Sequence, residues 1–390
     1  MVSIQKKEVL KMHNRKEIVS INNDPWEAYN DIIDHGGLTL SNIEFTTTNL
    51  CNMRCSHCAV GYTLQTKDPD PLPMDIIYRR LDEIPNLRTM SITGGEPMFS
   101  KKSIKNVVKP LLKYAYDRGI YVQMNSNLTL PQDRYLDIAE YIDVMHISHN
   151  WGTIQEFTDV GFGAMKKQPP LKAKLKLYEQ MLDNSRTLSE QGMFVSAETM
   201  LNQSTLPYLN KIHHEIVNDM KCSRHEVHPM YPADFASQLN VLSLKEMKDA
   251  INYLLDIRDE ETWMLFGTLP IYPCINDEND QKLLQRLRNA KNVTMRNDPD
   301  GRSRLNVNVF TGNVIVTDFG DENGTISNIQ KDKLTDVFDQ WLHSELAQSL
   351  NCHCPEFQCL GPNVLVKNMY YPQTDFKLKE KEMQSRHIFS

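Results

Sequence analysis

Cysteine is scarce in this chain, eight in 390 residues, which excludes a disulfide framework for a protein of this size. Long apolar runs are missing as well. No stretch approaches the roughly 18 uninterrupted apolar residues of a bilayer span. The opening MVSIQKKEVLKMHNRKEIVS alternates charge with isolated apolar residues and builds no signal-peptide core. A cytoplasmic protein with reduced thiols and no membrane partner is expected. Positive charge is not in excess either, and a formal charge of -7 argues against a general nucleic-acid binder. Lys101, Lys102, Lys105 and Lys109 share one predicted helix and read as its solvated face. What remains is a globular chain, 40% hydrophobic and 24% charged, long enough for two or three domains.

Residues 1 to about 36 read as a polar extension, with a helix around Trp26 to Ile33 and a turn at HGG. Beyond it, runs suited to buried strands lie at 41–47, 87–93, 119–125, 142–148, 194–200 and 226–230. Helix-length segments separate them, at 74–83, 102–117, 132–140, 171–190 and 205–219. Such alternation predicts right-handed βαβ crossovers and a parallel α/β sheet, either an open barrel or a doubly wound sheet. After about residue 240 the pattern changes. A helix at 243–261 is followed by an irregular stretch containing Cys274, by LNVNVF and VIVTDF flanking a Thr311-Gly312-Asn313 turn, and by a helix near 332–350. This predicts a second, smaller domain.

Six of the eight cysteines fall in two triplets, Cys51/Cys55/Cys58 and Cys352/Cys354/Cys359. Thiolates ligate soft metals, so three in a short loop point to zinc or an iron-sulfur cluster. A structural zinc site wants four ligands, and His57 beside Cys58 is an awkward fourth. A cubane with three cysteines leaves one iron free to bind something else.

C-N-M-R-C-S-H-C after a first strand resembles the C-x3-C-x2-C motif of the radical S-adenosylmethionine (SAM) superfamily. SITGGEP at the end of the second strand resembles that family's GGEP motif. The resemblance implies a partial (β/α)6 TIM-like barrel over 37–240, with a smaller C-terminal α+β domain over 241–390. It implies a [4Fe-4S] cluster on Cys51, Cys55 and Cys58, SAM on the open iron, His57 stacked on adenine, and Gly94, Gly95 and Glu96 around the SAM amino group. MNSNLTL and HISHN are similar to further strand-end motifs and add Ser126, Asn127 and Ser148 as SAM contacts. An electron donor such as flavodoxin or ferredoxin is implied too, with a peptide or small metabolite as substrate and RNA as the less favoured alternative.

The C-x-C-x4-C of Cys352, Cys354 and Cys359 resembles the auxiliary-cluster motif of twitch and SPASM domains and of the YfkAB-type family. The resemblance makes Cys274 the candidate fourth ligand of an auxiliary iron-sulfur cluster. Thr317 and Asp318 stand where many such domains have a cysteine, so the alternative is a cluster with three protein thiolates and either a non-cysteine ligand or an open iron. Cys222 reads as a free thiol, His213 and His214 as a solvated helix face, and His353 as pointing away from the triplet. His225, His228, Tyr231 and Asp234 are candidates to line a substrate pocket. The rival from another class is a non-enzymatic protein whose two triplets hold zinc or iron-sulfur groups as structural clips, an account in which GGEP has no role.

Overall fold

A computed structural model of the chain describes residues 19–275, 277–317 and 324–388, with side chains to residue 383. Its framework is one sheet in the order β11-β10-β9-β1-β2-β3-β4-β5-β6-β7-β8. The strands are β1 Asn42–Thr46, β2 Thr89–Thr93, β3 Tyr121–Ser126, β4 Val144–Ser148, β5 Phe194–Leu201, β6 Arg224–Pro229, β7 Trp263–Gly267, β8 Val293–Arg296, β9 Arg304–Asn308, β10 Asn313–Ile315 and β11 Thr325–Asn328. The run from β9 through β1 to β8 is parallel, while β10 and β11 are antiparallel. The six parallel strands expected from sequence are all present. Two more, β7 and β8, continue the sheet, and the predicted hairpin joins the same sheet beside β1 instead of forming one of its own.

This sheet has to curl. Eight strand spacings separate β9 from β8, about 38 Å if the sheet were flat. Yet Arg296 at the end of β8 and Arg304 at the start of β9 are eight residues apart, a reach of at most about 28 Å fully extended. Residues of β1 to β10 accordingly line one shared cavity of about 440 Å³. The architecture is a partial barrel with helices outside.

Side-chain alternation sets the two faces. Ile43, Phe45, Val122, Met124, Met145, Ile147, Val195 and Ala197 are buried outward against helices that include Met74–Asp82, Lys109–Arg118 and Leu171–Glu190. Inward stand Glu44, Gln123, His146, Ser148, Glu198, Glu226 and His228. In the helix after β2, a widened π turn spans Ile104–Val108. Pro110 lacks an N–H and crowds the carbonyl four residues back, which that turn relieves. The predicted final helix is broken into Leu334–Leu342 and Glu345–Leu350, with Ser344 capping the second. No described helix is long and apolar enough to cross a membrane.

The N-terminal segment works as a stopper. Trp26 and Val19 form an apolar cluster with Val144, Phe194, Trp263 and Leu265, at the N-terminal ends of their strands. The Trp26 indole donates to Ser91 Oγ at 3.2 Å. The carboxylate of Asp24 accepts from Arg296 Nε at 2.8 Å and lies 4.0 Å from Arg224. Replacing Asp24 leaves two buried guanidinium groups short of a partner, a change that costs about 3 kcal/mol in comparable sites. We expect Asp24→Asn to lower the denaturant midpoint correspondingly; an unchanged midpoint would show that the stopper contributes nothing to the barrel.

Candidate functional site

The first cysteine loop leaves the C-terminal end of β1. Asp68 holds its entry, accepting from Thr48 Oγ1 and from the Asn49 N–H, each at 2.7 Å. Gly94 and Gly95 press on the same segment. A Cβ on Gly94 would meet the Thr48 carbonyl oxygen at 2.4 Å, and one on Gly95 the Leu50 carbonyl oxygen at 2.2 Å. Gly94 also has φ +135°, a conformation that favours glycine. The N–H groups of Gly95 and Glu96 donate to the carbonyls of Thr48 and Leu50 at 2.8 and 2.7 Å. The two glycines are thus required for the end of β2 to touch the chain that enters the cysteines.

Glu96 is fully buried. Its carboxylate accepts from Ser126 Oγ at 2.9 Å, from the Asn127 N–H at 2.8 Å and from the Met98 N–H at 3.2 Å, which ties β2 to β3. Burial nevertheless pushes its carboxyl up to about 7, with the hydrogen bonds opposing. Asn127 continues the connection. Its amide donates to Asn52 Oδ1 at 2.9 Å and reaches Cys51 Sγ at 3.8 Å. Ser148 donates to Glu198 at 2.7 Å inside the barrel.

The loop is fixed on its other side by residues 160–164. Arg54 and Ser56 donate through their N–H groups to the carbonyls of Gly161 and Val160, and the Ala164 N–H returns a bond to Arg54. His57 is buried, with Asn150 Nδ2 at 3.4 Å from its Nε2. Desolvation drops its pKa to about 4, so the ring is neutral near pH 7. All three cysteines are free. Burial raises Cys51 to about 12 and Cys58 to about 11, and the three thiols repel one another on ionisation. Arg54 only partly offsets this. Thiolates here need a bound cation, and that donor set fits a metal cluster.

The second triplet is built on a tight loop. Cys354 and Cys359 exchange backbone hydrogen bonds at 2.9 and 3.1 Å around a 3-10 turn, Pro355–Phe357. Gly361, at φ +80°, passes so close to Cys352 that a Cβ would lie 2.8 Å from its sulfur. Cys274, from the loop between β7 and the helix Glu278–Asn289, faces the three, and all four thiols line a cavity of about 80 Å³. Their thiols are all raised, Cys274 to about 11 and Cys359 to about 12, again by burial first. Among the described residues no three such side chains converge as a single-ion site. His353 borders this cavity while its Nε2 pairs with the Tyr29 hydroxyl at 2.9 Å. Thr317 ends the described stretch before residue 324, and Asp318 lies outside the described residues.

Other sequence candidates separate by strand parity. His228 and Tyr231 line the central cavity. His225 faces outward, with its Nδ1 3.0 Å from His213 Nδ1, so it does not line that cavity. His213 is itself buried and accepts from the Asp259 N–H at 2.8 Å, which overturns the solvated face expected for it. Asp234 binds the Tyr62 N–H outside the cavity. Cys222 is buried and free, 3.6 Å from Ser185 Oγ.

Sequence reasoning missed the charges inside the barrel. Glu198 accepts from His146 Nε2 at 3.0 Å and faces His228 Nε2 at 3.5 Å. These histidines hold its carboxyl well below the usual range in spite of burial. Glu226 pairs with Arg296 at 3.1 Å, and Arg304 with Glu44 at 3.2 Å and Asp300 at 2.7 Å. The signal was available as polar residues at every second position, as in Arg224, Glu226 and His228.

Comparison with known proteins agrees with this geometry. Residues 45–219 match the Radical SAM superfamily, and residues 230–381 match the YfkB-like domain. "Putative protein YfkA" of Bacillus subtilis (strain 168) is 62% identical over 357 residues, 92% of this chain and 95% of that protein. Among solved structures, Streptococcus suis SuiB bound to S-adenosylmethionine has a TM-score of 0.59 at 15% identity, over 88% of this chain and 78% of SuiB. The structure of anSMEcpe with bound AdoMet has a TM-score of 0.57 at 14% identity, over 90% and 98%. At those identities the structural likeness is one of fold, and the family rests on the close relative together with the two matched segments. The chain belongs to the radical SAM superfamily, as an enzyme with a YfkB-like C-terminal domain.

Proposed function

We propose that Cys51, Cys55 and Cys58 hold a [4Fe-4S] cluster whose remaining iron binds SAM, and that the barrel cavity receives the substrate. When bound, the pair supplies one-electron cleavage of the sulfonium to methionine and a 5′-deoxyadenosyl radical, which takes hydrogen from the substrate. The observation that carries this reading is the attachment of both the GGEP turn and Asn127 to the cysteine loop itself. His57 is the neutral wall for adenine. Gly94, Gly95 and Glu96 take the amino group, and Ser126, Asn127 and Ser148 the remaining polar groups of SAM. The six strands β1 to β6 of the core then lie within 37–240, and strands from the unit 241–390 complete the same sheet.

Cys274, Cys352, Cys354 and Cys359 hold an auxiliary iron-sulfur cluster in the unit 241–390. Their common cavity supports this assignment. A peptide side chain or a small polar metabolite suits the central space of about 440 Å³ with its carboxylates and arginines. SuiB, of similar fold, is described with a bound precursor peptide, SuiA. Flavodoxin or ferredoxin serves as the electron donor.

After anaerobic reconstitution, iron analysis should give about eight atoms per chain, falling to about four in Cys274→Ala/Cys352→Ala. Cys51→Ala should form no deoxyadenosine; full formation in that variant would sink the assignment. At His57, Phe should keep SAM affinity within a few-fold, whereas Ala should weaken it about tenfold, the worth of one aromatic stack. Equal losses for both would remove the adenine role.

Glu96 gives a pH test. Its carboxyl is raised from 4.5 to about 7 in the folded chain, so its favourable contribution is complete below pH 4.5 and is lost as pH rises through about 7. Glu96→Gln should flatten that part of the stability profile. SAM should flatten it as well, because an ammonium group beside the carboxylate lowers its pKa. A SAM-independent slope would mean that Glu96 does not meet the amino group.

A further inference from the structure

Between Val160 and Tyr178 the chain carries five lysines and no Asp or Glu, within a protein of formal charge -7. Asp159 and Glu179 bound the segment. Lys174 is buried and structural: its Nζ donates to the Thr158 carbonyl at 3.1 Å and to Gln168 Oε1 at 2.5 Å, below the Phe162 ring. The other four, Lys166, Lys167, Lys172 and Lys176, are exposed. Among the described residues none of these four makes an ion pair or a hydrogen bond. Six lysines elsewhere, Lys102, Lys109, Lys113, Lys245, Lys282 and Lys291, are each matched to a carboxylate, and these include two of the four, Lys102 and Lys109, on the helix face that looked basic in sequence.

The unmatched lysines stand beside the first cysteine loop. Residues 160–164 are stitched to Arg54 and Ser56, on either side of Cys55, by three backbone hydrogen bonds. The two glycines let this segment lie close to the loop: a Cβ on Gly163 would lie 2.4 Å from Ser56 Oγ and one on Gly161 2.5 Å from Met53 Cε, so either side chain would have to shift. Lys166 follows Ala164 by two residues, at most about 7 Å of backbone. Lys172 and Lys176 are one helical turn apart on Leu171–Glu190 and share a face. Leu171, 59% exposed, opens the helix on which they stand. A cluster of unpaired cations on an otherwise acidic protein attracts and orients an acidic partner.

We infer that residues 160–176 form the docking surface for an acidic one-electron carrier protein, with Lys166, Lys167, Lys172 and Lys176 meeting its carboxylates. This rests on the reading of Cys51, Cys55 and Cys58 as the reducible site. One electron leaves the carrier, an anionic flavin hydroquinone becoming the neutral semiquinone with no proton released, and SAM held at the cysteine site would take up that electron as one C–S bond breaks, giving methionine and the 5′-deoxyadenosyl radical. Charge pairing of this kind acts mainly on encounter and is screened by salt.

The test uses the full chain with K166E/K167E/K172E/K176E and the corresponding four Gln substitutions, against the hydroquinone of an acidic flavodoxin. We expect flavodoxin binding to the cluster-free protein to weaken at least about tenfold in the Glu variant and less in the Gln variant at low salt. Carbodiimide should cross-link flavodoxin carboxylates to these lysines in the wild type. Reduction by flavodoxin should slow in parallel, while dithionite-driven deoxyadenosine formation and the melting temperature stay unchanged. Unaltered flavodoxin binding in the Glu variant overturns the proposal, as does an equal loss with dithionite. Retention of an oligonucleotide by the lysines in preference to flavodoxin overturns it in favour of RNA. Failure of the wild type to make deoxyadenosine even with dithionite identifies the underlying reading as the error, and the docking surface falls with it.

Discussion

The rest of the structure depends on one constraint: a nine-strand parallel run whose two ends are joined by a link too short for a flat sheet. Curling turns one sheet face into an interior, and that interior is polar. Arg296 binds Asp24 and Glu226, Arg304 binds Glu44 and Asp300, and Glu198 holds His146 and His228. Buried charges are tolerated only when paired and hydrogen-bonded. The N-terminal segment is therefore part of the barrel, because it brings Asp24 to the cations and Trp26 to the apolar end.

At the other end of the strands, backbone geometry serves the cysteines. Gly94 and Gly95 let β2 approach the Thr48–Leu50 segment, Glu96 and Asn127 connect β2 and β3 to it, and residues 160–164 hold its far side. The loop is clamped from two directions, while its thiols are raised by burial and by one another. Rigidity with only partial charge compensation from Arg54 suits the metal site proposed for these thiols, since a bound metal would supply the remaining charge and the scaffold supplies the geometry.

Much of this was legible in the sequence because the signals were local. Parallel strands, the helix-length segment at 171–190 and the cysteine spacing are each set by neighbours in the chain, and the helix Leu171–Glu190 has the predicted bounds. Long-range pairings were not legible. His213 looked solvated because its partners, His225 and the Asp259 N–H, are brought to it only by the packing of β6 and the following helix. β7 and β8 were passed over because they follow the apparent end of the alternation, in a region whose irregular loops serve the second cysteine group. Nor does WMLFG, buried at every position, show the alternation that marks a half-polar strand. The hairpin was visible as a hairpin, but its pairing with β1 is a tertiary choice that no local pattern specifies.

That pairing explains why the C-terminal unit cannot be treated as an appendage. The β8 to β9 link carries Asn297, whose amide donates to the Gln358 carbonyl and whose Oδ1 accepts from the Leu360 N–H at 2.8 Å. Asp298 accepts from Asn363 at 2.6 Å. Thr268, Arg296, Asn297 and Asp298 line both the central cavity and a neighbouring one that reaches Cys359. One short segment thus closes the barrel, walls its interior and grips the loop of the second cysteine group. A polar wall shared in this way fixes the second group relative to the central space through hydrogen bonds at both faces. The same link that forces the sheet to curl also fixes where the distal thiols stand.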